Sequence, residues 1–250
     1  MRTQSGTCLS WLWLFLPVIF FALRADESQT ANPAQGGHDS TIVVHLPGLP
    51  KHARPLEMVL IPAGSFMMGC GREGQNSESS FRHRHEVKIT KPFYIGKAEI
   101  TQAQYEALRG ARSNHSIHKG PDLPVEKASW YDTQIFLNKL NRLNQGKFRL
   151  PTEAEWEYAC LKSGQYSLEN MTGGLAEWCD DKWRKACPKN PQIDPRNRGT
   201  WLHYYWPLTN RVVRGGADRK NGESAMVHRG YEQSADYHYS IGFRIVRESD

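Results

Sequence analysis

Phe148-Arg149-Leu150-Pro151-Thr152-Glu153-Ala154-Glu155-Trp156-Glu157-Tyr158-Ala159 is a run too dense in proline, tryptophan and acid to arise from core patterning alone. Leu150-Pro151 closes an extended segment. Thr152 stands where a helix N-cap belongs, and Glu155 three residues on completes a capping box, so a short helix is predicted from Glu153. Ala154, Trp156 and Tyr158 do not share one helical face, which predicts that Trp156 packs against something other than the helix's own core side.

Further blocks stand in a fixed order around this run. Met58-Val59-Leu60-Ile61-Pro62-Ala63-Gly64-Ser65-Phe66-Met67-Met68-Gly69 precedes it, as do Lys91 to Tyr105 and Pro124-Val125-Glu126-Lys127-Ala128-Ser129-Trp130-Tyr131-Asp132. Gly173-Gly174-Leu175-Ala176-Glu177-Trp178-Cys179, Arg211-Val212-Val213-Arg214-Gly215-Gly216 and Gly242-Phe243-Arg244 follow it. From about Glu57 to Arg247 the chain resembles the formylglycine-generating enzymes, also called sulfatase-modifying factors. The resemblance implies an α+β domain with a variant of the C-type lectin fold: short strands, two main helices and long loops.

The residues agree on their own terms. Met58 to Ile61 and Glu86 to Ile89 read as strands, Thr101 to Leu108 and Tyr131 to Asn144 as helices, with Gly, Pro and Asn clusters between them. Ile135, Phe136, Leu140 and Leu143 are spaced as one apolar stripe and are assigned to the core. A chain of 250 residues with 39% hydrophobic content and eight tryptophans supports one good core. Residues 55–250 are taken as that domain.

Residues 1–25 read as a secretory signal peptide. Arg2 is followed by an apolar run from Leu9 to Leu23, short for a membrane span, and Arg24-Ala25 then give way to polar Asp26-Glu27-Ser28. A secreted or periplasmic protein is the expectation. Leu23 replaces the usual small residue three positions before the cut, so an uncleaved anchor is the alternative and the only route to membrane attachment. Residues 26–54 form a polar linker, or supply one added strand at Ile42-Val43-Val44.

Export leaves Cys70, Cys160, Cys179 and Cys187, which allow three pairings. Cys179 and Cys187 are close enough in sequence to close a small ring, Cys160 suits a buried thiol, and no Cys-x-x-Cys spacing supports zinc. The excess of six basic over acidic residues is spread along the chain, apart from Arg82-His83-Arg84-His85. With no supporting motif and an export signal, nucleic acid is excluded as a partner.

The resemblance also raises the question of chemistry. The family's enzymes oxidise a substrate cysteine with molecular oxygen, using two cysteine thiolates that hold copper, since Cu(I) prefers sulfur. Counted from Gly216, those positions hold Lys220 and Ala225, while Arg229 matches a family arginine. No cysteine follows Cys187, so copper-dependent formylglycine generation is not expected. The family's calcium loop is cut here to residues 161–177, leaving Glu169, Asn170 and Asp180 as candidate ligands and room for one calcium at most.

Residues 218–240 are rich in Tyr, Ser, Gly, Asn and Asp, a composition typical of binding surfaces. Arg219, His228, Arg229, Tyr231, Asp236, Tyr237, His238 and Tyr239, with Trp201 and Trp206, are the candidate ligand-binding residues. The first reading is an exported, non-catalytic module that presents this segment to a ligand or protein partner. The alternative is a divergent metal-dependent oxidoreductase of the same superfamily, with His228, Asp236 and His238 as metal ligands.

Overall fold

The computed structural model describes residues 40–69, 84–184, 188–198, 209–216 and 229–249. In chain order its strands are β1 (Thr41–Val44), β2 (Leu56–Ile61), β3 (Gly64–Met68), β4 (His85–Ile89), β5 (Phe93–Gly96), β6 (Phe148–Arg149), β7 (Ala176–Lys182), β8 (Gln192–Ile193), β9 (Asn210–Gly215), β10 (Arg229–Gln233), β11 (Ile241–Gly242) and β12 (Val246–Glu248). The helices are α1 (Gln102–Arg109), α2 (Trp130–Asn141) and α3 (Glu153–Leu161). Residues 1–39, Cys70, Arg82, His83 and Cys187 lie outside the described residues.

One sheet runs β1-β2-β5-β12-β6, all neighbours antiparallel. A second runs β10-β9-β7-β11, with β11 parallel to β7, and a third runs β3-β4-β8. Ile42, Val43 and Val44 thus belong to an edge strand on β2.

Each helix begins on a capping box, Thr101 with Gln104, Ser129 with Asp132, and Thr152 with Glu155. In α3 the Glu155 amide donates to Thr152 Oγ1 at 3.1 Å and the Thr152 amide donates back to Glu155 Oε2 at 2.8 Å. Two orphan amides are satisfied at the point where Pro151 ends the strand. The capped run is therefore a third α-helix beside the two main ones read from sequence, and it has no solvent face, since every residue from Ala154 to Cys160 is buried.

Strand alternation places cores on both faces of the sheets. Leu56 and Met58 of β2, Ala176 and Trp178 of β7 and Val213 of β9 join Ile100, Tyr105, Phe136, Leu140 and Phe243 in one core. Val59, Ile61, Cys179 and Val212 face the other way, into a core around Trp156, Tyr158 and Ala159. The expected stripe on α2 needs one correction. Phe136 and Leu140 are fully buried, but Ile135 is 42% exposed and Leu137 takes its place, because position 135 lies about 100° round the helix from 136.

Candidate functional site

α3 carries a chain of buried ion pairs that its sequence does not announce. Trp156 Nε1 donates to Glu177 Oε2 at 2.7 Å, and Glu177 receives a bidentate pair from Arg244, Nε to Oε2 and Nη2 to Oε1, both 2.8 Å. Arg244 also donates to the carbonyls of Gly96 and Glu169. On the other side of the helix, Arg214 Nη2 meets Glu157 Oε2 at 2.7 Å, and Glu157 Oε1 accepts the Gly69 amide. The Gly-Gly of the last block is fixed by the same tryptophan. Gly215 has φ +76°, and a Cβ there would stand 2.9 Å from Trp156 Cζ2; Gly216, φ +75°, backs onto Ala176.

Glu99, on the connection from β5 to α1, completes this interior. Its carboxylate accepts the Leu175 amide and Asn170 Nδ2, yet burial, with the Glu177 charge adding to it, raises its pKa to about 7. Asp181 on β7 accepts the Glu153 amide at 2.7 Å and is raised to about 6, again mainly by burial.

From this interior, Glu153 reaches outward to the candidate surface. Arg229 clamps Glu153 with Nε and Nη2, donates Nη1 to the Arg184 carbonyl and lies 4.1 Å over the Trp183 ring. Tyr231, two residues along β10, packs its ring 4.7 Å from the same tryptophan. In the following turn the Tyr237 ring meets His115 edge-on at 6.2 Å, and Tyr239 stacks on His238 at 4.9 Å. His238 Nδ1 lies 2.8 Å from Ser240 Oγ, and its carbonyl accepts the Lys127 amide. Tyr231, Tyr237 and Tyr239 remain 49%, 56% and 64% exposed.

Among the predicted site residues, Arg229, Tyr231, Asp236, Tyr237, His238 and Tyr239 thus share one strand and its turn. They form two groups, one on Trp183 and one on His115 and His238. Trp201, Trp206, Arg219, Lys220, Ala225 and His228 lie outside the described residues. Sequence reasoning missed Glu153, Trp183 and His115. Trp183 follows a β-bulge between Trp178 and Lys182 that breaks the alternation by which its facing could be read, and His115 meets Tyr237 only in the fold.

Residues 46–167 and 160–249 match the sulfatase-modifying factor enzyme 1-like domain. The chain belongs to that family. Chaperone protein LppX of Paenibacillus barcinonensis is 30% identical to it over 149 residues, 46% of this chain and 48% of that protein, so the chain spans about half the length of this curated relative. Among solved structures, Treponema denticola variable protein 1 has a TM-score of 0.67 at 21% identity, covering 84% of this chain and 99% of its own. PvdO from Pseudomonas aeruginosa has a TM-score of 0.62 at 20% identity, covering 83% and 99%. These structures share the fold, the α+β formylglycine-generating-enzyme type expected from the sequence.

Against the family's metal sites, the described side chains are otherwise engaged. Cys179 is a free, fully buried thiol on β7, which departs from its pairing with Cys187, and Cys160 is a free, buried thiol on α3. Burial pushes Cys160 up to about 12 and Cys179 well above the ordinary thiol range. The calcium candidates do not converge: Glu169 pairs with Arg54, Asn170 donates to Glu99, and Asp180 holds Arg196 at 2.8 Å and Arg198 at 3.4 Å. Among the described residues no three His, Cys, Asp or Glu side chains group to hold a metal ion, and no helix is long and apolar enough to cross a membrane.

Proposed function

We propose that this member of the sulfatase-modifying factor family is an exported binding module without the family's copper chemistry, and that it presents residues 218–240 to a ligand or protein partner. The observation that carries the reading is the state of Tyr231, Tyr237 and Tyr239, which are exposed yet each packed on another ring. Phenol rings held in place before contact offer apolar area and a hydroxyl while losing little side-chain entropy on binding. Arg229 supports the surface from beneath, its guanidinium clamped by Glu153 and stacked on Trp183.

Two further facts favour binding over oxidation. Lys220 and Ala225 offer no sulfur where the family's copper thiolates belong, and the described thiols, Cys160 and Cys179, are held protonated by burial. The run from Leu9 to Leu23 with Arg2 before it supports export.

The test is capture from an extract of the source organism on immobilised mature protein, with a Tyr237→Ser, Tyr239→Ser double variant beside it. A partner retained by the wild type and lost by the variant, at equal thermal stability, is the expected result. Identical retention by both overturns the reading.

A further inference from the structure

We propose that β1 is an assembly edge: its outer side pairs antiparallel with β1 of a second copy of this chain and joins the two five-stranded sheets across a two-fold axis. The strand stands at the end of its sheet, beyond β2. The Ser40 carbonyl accepts the Leu60 amide at 3.0 Å, so Ser40, Ile42 and Val44 turn their backbone groups to β2, and Thr41, Val43 and His45 turn theirs outward. At His45 the outward pair is taken. Its amide donates to Gln145 Oε1 at 2.9 Å and its carbonyl accepts from Gln145 Nε2 at 2.7 Å, so the side-chain amide stands where a peptide group of a further strand would. At Thr41 and Val43 the outward N–H and C=O have no hydrogen-bond partner among the described residues.

An open edge is a template for another strand, and proteins ordinarily guard it with lysine, proline or a bulge. β1 carries none of these. Its register on β2 is unbroken, Ser40 to Val44 holds no charge, every residue from Thr41 to Val44 is β-branched, and the Val43 side chain is 63% exposed. The tyrosine surface lies on β10, in a different sheet, so the edge stands independently of the proposed function.

The strand is complementary to itself in one register. Setting Thr41 opposite Val43 of the second copy, and Val43 opposite its Thr41, pairs all the open N–H and C=O groups of both strands. A shift of one pair either way sends Thr41 to the His45 groups that Gln145 already holds, or Val43 past the start of the strand. The favoured register lays Ile42 against Ile42 of the second copy as a non-hydrogen-bonded pair, with Cα atoms about 4.5 Å apart. Ile42 is partly buried and packs on the core that holds Val44 and Met58, so the pairing covers the rest of its side chain and carries that apolar face across the axis. Because the paired residues are uncharged, two like strands approach without repulsion.

So short a pairing is smaller than a permanent interface, and a dissociation constant on the order of 100 µM is expected. Sedimentation velocity on the mature protein, from about 5 µM to about 1 mM, should therefore show a monomer–dimer equilibrium. Val43→Pro removes an outward N–H that the fold itself does not use, and Val43→Lys places a charge on the edge; each should weaken dimerisation by about tenfold or more. Register is read by oxidation, with the wild type as background for the native cysteines. Ile42→Cys should cross-link into a covalent dimer about tenfold faster than Val43→Cys, because only residue 42 meets its own copy within disulfide reach, although residue 43 is the more exposed. The proposal is overturned by a protein that stays monomeric to about 1 mM, by dimerisation that neither Val43 variant weakens, or by Val43→Cys cross-linking as fast as Ile42→Cys.

Discussion

Glu177 illustrates how much rests on single side chains. It accepts from both the Trp156 indole and the Arg244 guanidinium with no solvent exposure, so removing it strands a buried cation and an indole N–H at once. Glu177→Ala should destabilise the protein by about 3–5 kcal/mol, read as a lower midpoint in urea at unchanged slope. Gly215→Ala should cost about 2 kcal/mol or more, since the side chain meets Trp156 at a left-handed backbone position. Glu99 gives a pH dependence of definite sign. Its raised carboxyl keeps a proton in the folded state that the unfolded chain has lost, so the contribution of Glu99 to stability is full below about pH 4.5 and is lost as pH rises through about 7. Glu99→Gln should flatten that decline, on the order of 2 kcal/mol, in denaturation curves at pH 5 and pH 8. Equal pH dependence in the wild type and in Glu99→Gln would contradict the role of burial there.

At the scale of elements, α3 was legible from its Thr152–Glu155 capping box and α1 and α2 from apolar patterning, and in the fold all three start on such a box. Thr152→Ala should lower stability by about 1 kcal/mol, mainly through α3, as measured by thermal or urea unfolding. The burial of α3 on every side was not legible, since the partners that neutralise Glu153 and Glu157 come from β9 and β10, 57 to 76 residues away. The candidate segment was readable by composition alone, as tyrosine-rich, but it was expected as a loop, whereas residues 229–233 form strand β10 on β9; its support was not readable either, because Trp183 stands beyond a bulge. Trp183→Ala should remove the ring beneath Arg229 and Tyr231. Amides of residues 229–233 should then exchange faster while those of β2 and β5 keep their protection; uniform loss of protection would show instead that Trp183 supports the whole core.

For the molecule as a whole, the run from Phe148 to Ala159 ties the parts together. Trp156 leans on the Gly215 turn and bonds to Glu177, Glu157 holds Arg214, and Glu153 holds Arg229 beneath the tyrosine surface. The run that marks the family therefore builds the platform on which Arg229 and Tyr231 of β10 stand, whatever chemistry the segment carries. On the proposed reading, Lys220 and Ala225 stand where the copper thiolates would be. The direct test is to incubate the purified mature protein with Cu(I), oxygen and a sulfatase-derived cysteine peptide and to follow the peptide by mass spectrometry. The peptide is predicted to remain unconverted, and its conversion to the formylglycine form would contradict the account.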